Sequence, residues 1–146
     1  MRTVIGRISL FAALTLTPIV VSGQQAAAAL AVEVRSSPAY AEVLLRKVEL
    51  TADLESFAAD YTDQNPKVLE ARSELASIEK AIDRLRTVKP AEAAKLTLAL
   101  GKLLVKRASL ETDFARLSRS FAADHPQVKR AKRQVEIFDA AINQIL

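Results

Sequence analysis

The sequence predicts an all-α fold: two tandem antiparallel coiled-coil helical hairpins in an up-down four-helix arrangement. Three observations predict it. First, the segment from Tyr61 to Val68, YTDQNPKV, returns sixty residues later as FAADHPQV, from Phe121 to Val128. The flanking registers match as well: Leu50 with Leu110, Leu54 with Phe114, Phe57 with Leu117, Ala71 with Ala131, Leu75 with Val135, Ile78 with Phe138, and Ile82 with Ile142. Second, the four prolines beyond Pro18 stand where helices would begin. Third, apolar residues recur at alternating steps of three and four.

Composition agrees. Half of the 146 residues are hydrophobic and 26% are charged, which is globular rather than disordered. With 3 glycines and 5 prolines there is little loop, and the apolar content is mainly Leu, Ala, Val and Ile, residues suited to packed helices.

Residues 1–23 read as a secretory signal peptide. Arg2 and Arg7 give a positive start, Ile8 to Val21 form an apolar run, and Val21-Ser22-Gly23 offers a cleavage site. A cut near Ala26 to Ala29 is the alternative. An uncleaved membrane anchor is a weaker reading, because the run falls short of about 20 apolar residues and contains Pro18. Export to the periplasm or the extracellular space is therefore expected. The formal charge of +4 falls to +2 without Arg2 and Arg7, leaving 19 basic against 17 acidic residues. A nucleic-acid partner is not implied. Cysteine is absent, which removes disulfides and thiolate chemistry.

Residues 24–37 are alanine-rich, lie outside the repeat and are expected to be a flexible lead-in. Hairpin 1 then spans 38–87 and hairpin 2 spans 90–146. Pro38, Pro66, Pro90 and Pro126 each suit the first helical position, where the missing N–H has no intrahelical partner. Ser37 and Asn65 are N-cap residues. Glu92 suits the positive end of a helix dipole. The expected helices are 38–61, 66–87, 90–121 and 126–145.

The first helix carries Val43, Leu50, Leu54, Phe57 and Tyr61, with Lys47 in the gap, and the second carries Val68, Ala71, Leu75, Ile78, Ile82 and Leu85. The third carries Ala93, Leu96, Leu100, Leu103, Leu110, Phe114, Leu117 and Phe121, with Arg107 in the gap. The fourth carries Val128, Ala131, Val135, Phe138, Ile142 and Ile145. A sustained seven-residue repeat keeps such a seam facing its partner through left-handed supercoiling, and turns of two to four residues make neighbours antiparallel. Leu44, Val48, Leu98, Leu104, Val105 and Ile137 widen the stripe, so each hairpin is expected to bury a second face against the other hairpin or another chain. Gly101 marks a site of close helix packing. Residues 87–89 read as a turn, because an interior proline at 90 would cost about 3 kcal/mol; a kinked continuous rod is the alternative.

The two copies differ in charge. Asp53, Glu55, Asp60, Asp63, Glu70 and Glu74 outweigh Lys67 and Arg72, giving −4 over 53–74. Arg116, Arg119, Lys129, Arg130, Lys132 and Arg133 outweigh Asp113 and Asp124, giving +4 over 113–134. These patches either complement one another, within a chain or between chains, or stand as solvated faces.

A chemical centre does not emerge. Neither a metal nor a cofactor is expected. His125, the single histidine, reads with Pro126 as a turn and cap residue, the counterpart of Asn65 and Pro66. Ser109, Ser118 and Ser120 have no base partner, no Gly-rich phosphate loop is present, and the acids punctuate heptads rather than converge. The basic cluster at 129–133 offers at most weak contact with an anionic surface. Tyr61 and Phe121 read as staples of the hairpin tips.

Tyr61, Asn65, Pro66 and Val68, with Phe121, His125, Pro126 and Val128, carry a resemblance. The pattern of heptad leucines, an aromatic, a short polar turn, Asn-Pro or His-Pro, then Val resembles the periplasmic coiled-coil segment of polysaccharide co-polymerases, the chain-length regulators of exopolysaccharide export. It covers about 40 residues twice. The flanking transmembrane pair, the α/β base domain and the kinase domain of that family have no counterpart in the sequence. The resemblance therefore implies a helical-hairpin module of an envelope protein. The sequence reading is a non-catalytic exported scaffold or protein-interaction module that associates with itself or another helical envelope protein. A periplasmic holdase-type chaperone or envelope stress sensor is the alternative.

Overall fold

Four α-helices start at positions capped by a side chain. In the computed structural model, which describes residues 32–146, the order is α1 (Pro38–Asp60), α2 (Pro66–Arg86), a 3-10 helix η1 (Pro90–Lys95), α3 (Leu98–Ser120) and α4 (Pro126–Ile145). Among the described residues there is no strand, and the fold is all-α. The expected signal peptide, and the lead-in up to residue 31, lie outside the described residues.

Ser37, Asn65 and His125 hold extended backbone just before a proline, and each side chain accepts a hydrogen bond from a first-turn N–H. These bonds satisfy donors that a helix start otherwise leaves open. Ser37 does double duty. Its Oγ accepts from the Tyr40 N–H at 3.2 Å and donates to the Val34 carbonyl at 2.7 Å. Residues 32–35 are helical and Val34 is buried in the core. This corrects the expectation of a flexible lead-in through residue 37: Val34 and Ser37 are tied to α1 by burial and by that hydrogen bond.

The third helix is also shorter than expected. Pro90 opens η1, not a helix running to residue 121. Leu96 leaves helical geometry at φ −75°, ψ 55°, and Thr97 caps α3 by accepting from the Leu100 N–H at 3.3 Å. The break serves packing. The Leu96 side chain enters the core, and its carbonyl accepts from the Ala39 N–H at 3.2 Å, closing an open donor in the first turn of α1. At 1.5 Å per residue the longest helices span about 35 Å. Residues 87–89 form a turn, with Thr87 still right-handed and Lys89 extended.

Packing joins α1 to α2, α3 to α4, and both α1 and α2 to α3. Side-chain contacts tie neighbouring helices together. Arg46 meets Glu74 and Lys47 meets Glu79 across α1 and α2. Glu70 meets Arg116 and Ser77 meets Glu111 across α2 and α3. Arg107 meets Asp139 across α3 and α4. Glu70, just after the first repeated turn, meets Arg116, just before the second, and Ser77 meets Glu111, so α2 and α3 run antiparallel and both repeated turns lie at one end.

One core serves both hairpins. Its fully buried large side chains are Val34, Val43, Ile78, Leu85, Leu96, Leu100 and Ile142, concentrated away from the repeated turns. Each such Leu or Ile contributes about 2 kcal/mol of burial. Gly101 lets α1 and α3 approach. A Cβ there would lie 2.8 Å from the Glu42 Cβ and 3.0 Å from the Ala39 backbone.

Candidate interaction surface

The repeated turns share their construction in detail. Helices α1 and α3 end at Tyr61 and Phe121, both in extended backbone, with N–H groups donating to Phe57 and Leu117 carbonyls at 2.8 and 2.9 Å. Asn65 and His125 then donate from their backbone N–H to the carbonyls of Thr62 and Ala122, both at 3.0 Å. Asn65 Oδ1 accepts from the Lys67 N–H at 2.9 Å, and His125 Nδ1 accepts from the Gln127 N–H at 3.3 Å. A nitrogen that accepts carries no proton, so the His125 tautomer in this cap is protonated at Nε2.

Aromatic contacts close the tips differently. Tyr61 meets Phe57 edge-on at 5.8 Å between centroids, with the Lys67 ammonium 5.3 Å from its ring. Phe121 stacks on the His125 imidazole at 4.3 Å. Both rings remain about two-fifths exposed. Beneath each turn lies a shallow cleft of about 340 Å³ in the first hairpin and about 370 Å³ in the second. Equivalent residues line them: Leu54 and Phe114, Tyr61 and Phe121, Val68 and Val128.

The charged patches are mostly not paired with one another. Asp63 pairs with Arg72 inside hairpin 1, and Glu74 with Arg46 at 2.8 Å. The hydrogen bond to Glu74 holds the Arg46 guanidinium above its ordinary pKa, against a smaller opposing effect of burial. Arg133 pairs with Glu136 at 3.3 Å inside hairpin 2. Of the twelve patch residues, only Glu70 and Arg116 meet across the hairpins, at 3.6 Å. Asp53, Glu55, Asp60, Arg119, Lys129, Arg130 and Lys132 are exposed and form no ion pair within the described chain.

The residues that widened the apolar stripe divide into two groups. Leu104 is buried and Val105 half-buried where α3 meets its neighbours. Leu44, Val48, Leu98 and Ile137 stay exposed, as does Leu45, which the periodicity did not single out. On α1 the exposed residues Ala41, Leu44, Val48, Ala52 and Glu55 follow helical steps of three and four, with Leu45 beside them. This face points away from Val43 and Leu50. The signal for Leu45 was present in its spacing from Ala41, Val48 and Ala52, but the buried seam of the same helix dominated the pattern.

Among the described residues no three His, Cys, Asp or Glu side chains group to hold a metal ion, and no helix is long and apolar enough to cross a membrane. No buried side-chain polar atom there lacks a hydrogen-bond partner. Comparison with protein-family models, with curated proteins and with solved structures gives no match to this chain.

Proposed function

We propose that this chain is an exported, non-catalytic helical-hairpin scaffold of the cell envelope that works by associating with further copies of itself. The observation that carries the reading is the outer face of α1. Leu44, Leu45 and Val48 are 40%, 57% and 58% exposed within two turns of one helix, although a buried core lies on the opposite side. Scattered apolar surface residues are ordinary, but an apolar stripe at helical spacing is the pattern by which helices recognise helices. The heptad seams add coiled-coil character within each hairpin. The N-terminal signal pattern supports export, and the tip motif supports kinship with envelope hairpin modules.

Sedimentation velocity of the exported, processed protein tests the reading. An elongated oligomer that dissociates on dilution is expected, and a compact monomer at every concentration contradicts it. Fractionation of expressing cells tests export: the protein should reach the periplasm or medium shortened by its signal segment.

A holdase-type chaperone is the second reading. It draws on the paired tip clefts and on the exposed rings of Tyr61 and Phe121. Suppression of aggregation of an unfolding client at stoichiometric amounts would favour it over the scaffold.

A further inference from the structure

Opposite charge on the two sequence copies invites pairing, and one chain makes that pairing only at Glu70 and Arg116. Apart from Arg119 on α3, the remaining unpaired groups sit on two helices. Asp53, Glu55 and Asp60 belong to α1, and Lys129, Arg130 and Lys132 belong to α4. These two helices flank α3, and neither depends on the other for its main packing. Among the described residues, a single copy therefore leaves both faces open.

The two faces match in kind and in level. On α4 the exposed residues Arg130, Arg133, Ile137, Ala140 and Gln144 follow steps of three and four, turned away from Val128, Ala131 and Ile142. The face is basic near the turn and apolar below it. The outer face of α1 is acidic near the turn, at Glu55, and apolar below it, at Val48, Leu45 and Leu44. Cross-helix contacts fix the heights. Lys47 is level with Glu79, Ser77 with Glu111, and Arg107 with Asp139. Carried across the molecule, they place Val48 within about a turn of Ile137, and Glu55 within about a turn of Arg130. Two copies standing side by side in the same direction would bring acid to base and aliphatic to aliphatic.

We infer that the chain assembles by seating the α4 outer face of one copy on the α1 outer face of the next. The occupant of the α1 stripe is a second copy, and this assignment rests on the self-associating scaffold reading above. The contact uses two different patches, so it is heterologous. It leaves one patch free at each end of a pair and continues into a ring or an open row. Charge complementarity sets partner and register, while burial of Leu44, Leu45, Val48 and Ile137 supplies the attraction.

The test uses the intact protein and two variants, K129E/R130E/R133E and E55K, with circular dichroism melts confirming that each folds. Wild type should sediment as an oligomer and each variant alone as a monomer. An equimolar mixture of the variants should assemble again, because the reversed faces complement each other. Wild-type oligomers with either variant still assembling overturn the face assignment but leave the scaffold standing. Dissociation without recovery on mixing also overturns the assignment. A monomeric wild type overturns both. Unchanged assembly with loss of binding to phosphatidylglycerol vesicles in the triple variant would assign the basic face to an anionic membrane instead.

Discussion

Arg107 Nε lies 2.9 Å from Asp139 Oδ1, and sixty residues earlier Lys47 Nζ lies 2.8 Å from Glu79 Oε1. These are one ion pair in two copies. Each cation fills the gap in its helix's heptad, and each acid waits at the equivalent place on the returning helix. The polar gap in the seam is therefore a cross-hairpin tie.

The two ties differ in exposure and should differ in strength. The Arg107 and Asp139 side chains are 24% and 37% exposed, against 37% and 52% for Lys47 and Glu79. Arg107 also bonds Glu111 at 2.8 Å. Double-mutant cycles to alanine, read by urea melts, should give a coupling of about 0.5–1 kcal/mol for Arg107 with Asp139 and less for Lys47 with Glu79. The reverse order would mean that exposure does not control these pairs.

Gly101→Ala should destabilise the protein. In an unencumbered helix, alanine gains about 1 kcal/mol over glycine. Here the added methyl meets the Glu42 Cβ at 2.8 Å and the backbone of Ala39 at 3.0 Å, so the α1–α3 contact must open. Overpacking of this kind costs about 1–3 kcal/mol. A melting temperature equal to or above wild type would show that α1 and α3 separate without cost.

Removal of the caps tests the helix starts. Asn65→Ala and Thr97→Ala should each lose about 1 kcal/mol, because each leaves a first-turn N–H without its partner. Thr97→Ala is the sharper case. An α-helix continuous from Pro90 would carry Thr97 in its interior, where alanine is stabilising. Denaturant melts decide between loss and gain.

Core and outer face should separate cleanly. Leu100→Ala removes a fully buried side chain and should cost about 2–5 kcal/mol. Leu45→Ala, on the exposed α1 stripe, should change monomer stability by less than about 0.5 kcal/mol. It should nevertheless weaken self-association, measured by sedimentation across a dilution series.

Much of this architecture was legible because local signals agreed. Proline after Ser37, Asn65 and His125 marks three helix starts that geometry keeps. The equivalent pairs Leu50 and Leu110, Ala71 and Ala131, and Ile82 and Ile142 are all buried. Pro90 misled because the same residue also opens a 3-10 turn. The competing start at Thr97 depends on Leu96 turning into a core that only tertiary packing creates. Val34 was missed for the same reason: its partners lie far along the chain. The patches were legible as charge, but that they meet within one chain only at Glu70 and Arg116 depends on helix arrangement, which periodicity does not encode.

Cross-linking between copies probes the α1–α4 contact itself. The chain has no cysteine, so Val48→Cys and Ile137→Cys each place a single thiol, one on each outer face. The two variants are mixed and mildly oxidised, and products are separated without reductant and identified by mass. The expected product is a disulfide-linked dimer joining position 48 of one chain to position 137 of another, with much less product from either variant alone. Products linked only 48 to 48, or no linked product at concentrations where the wild type is an oligomer, would contradict it.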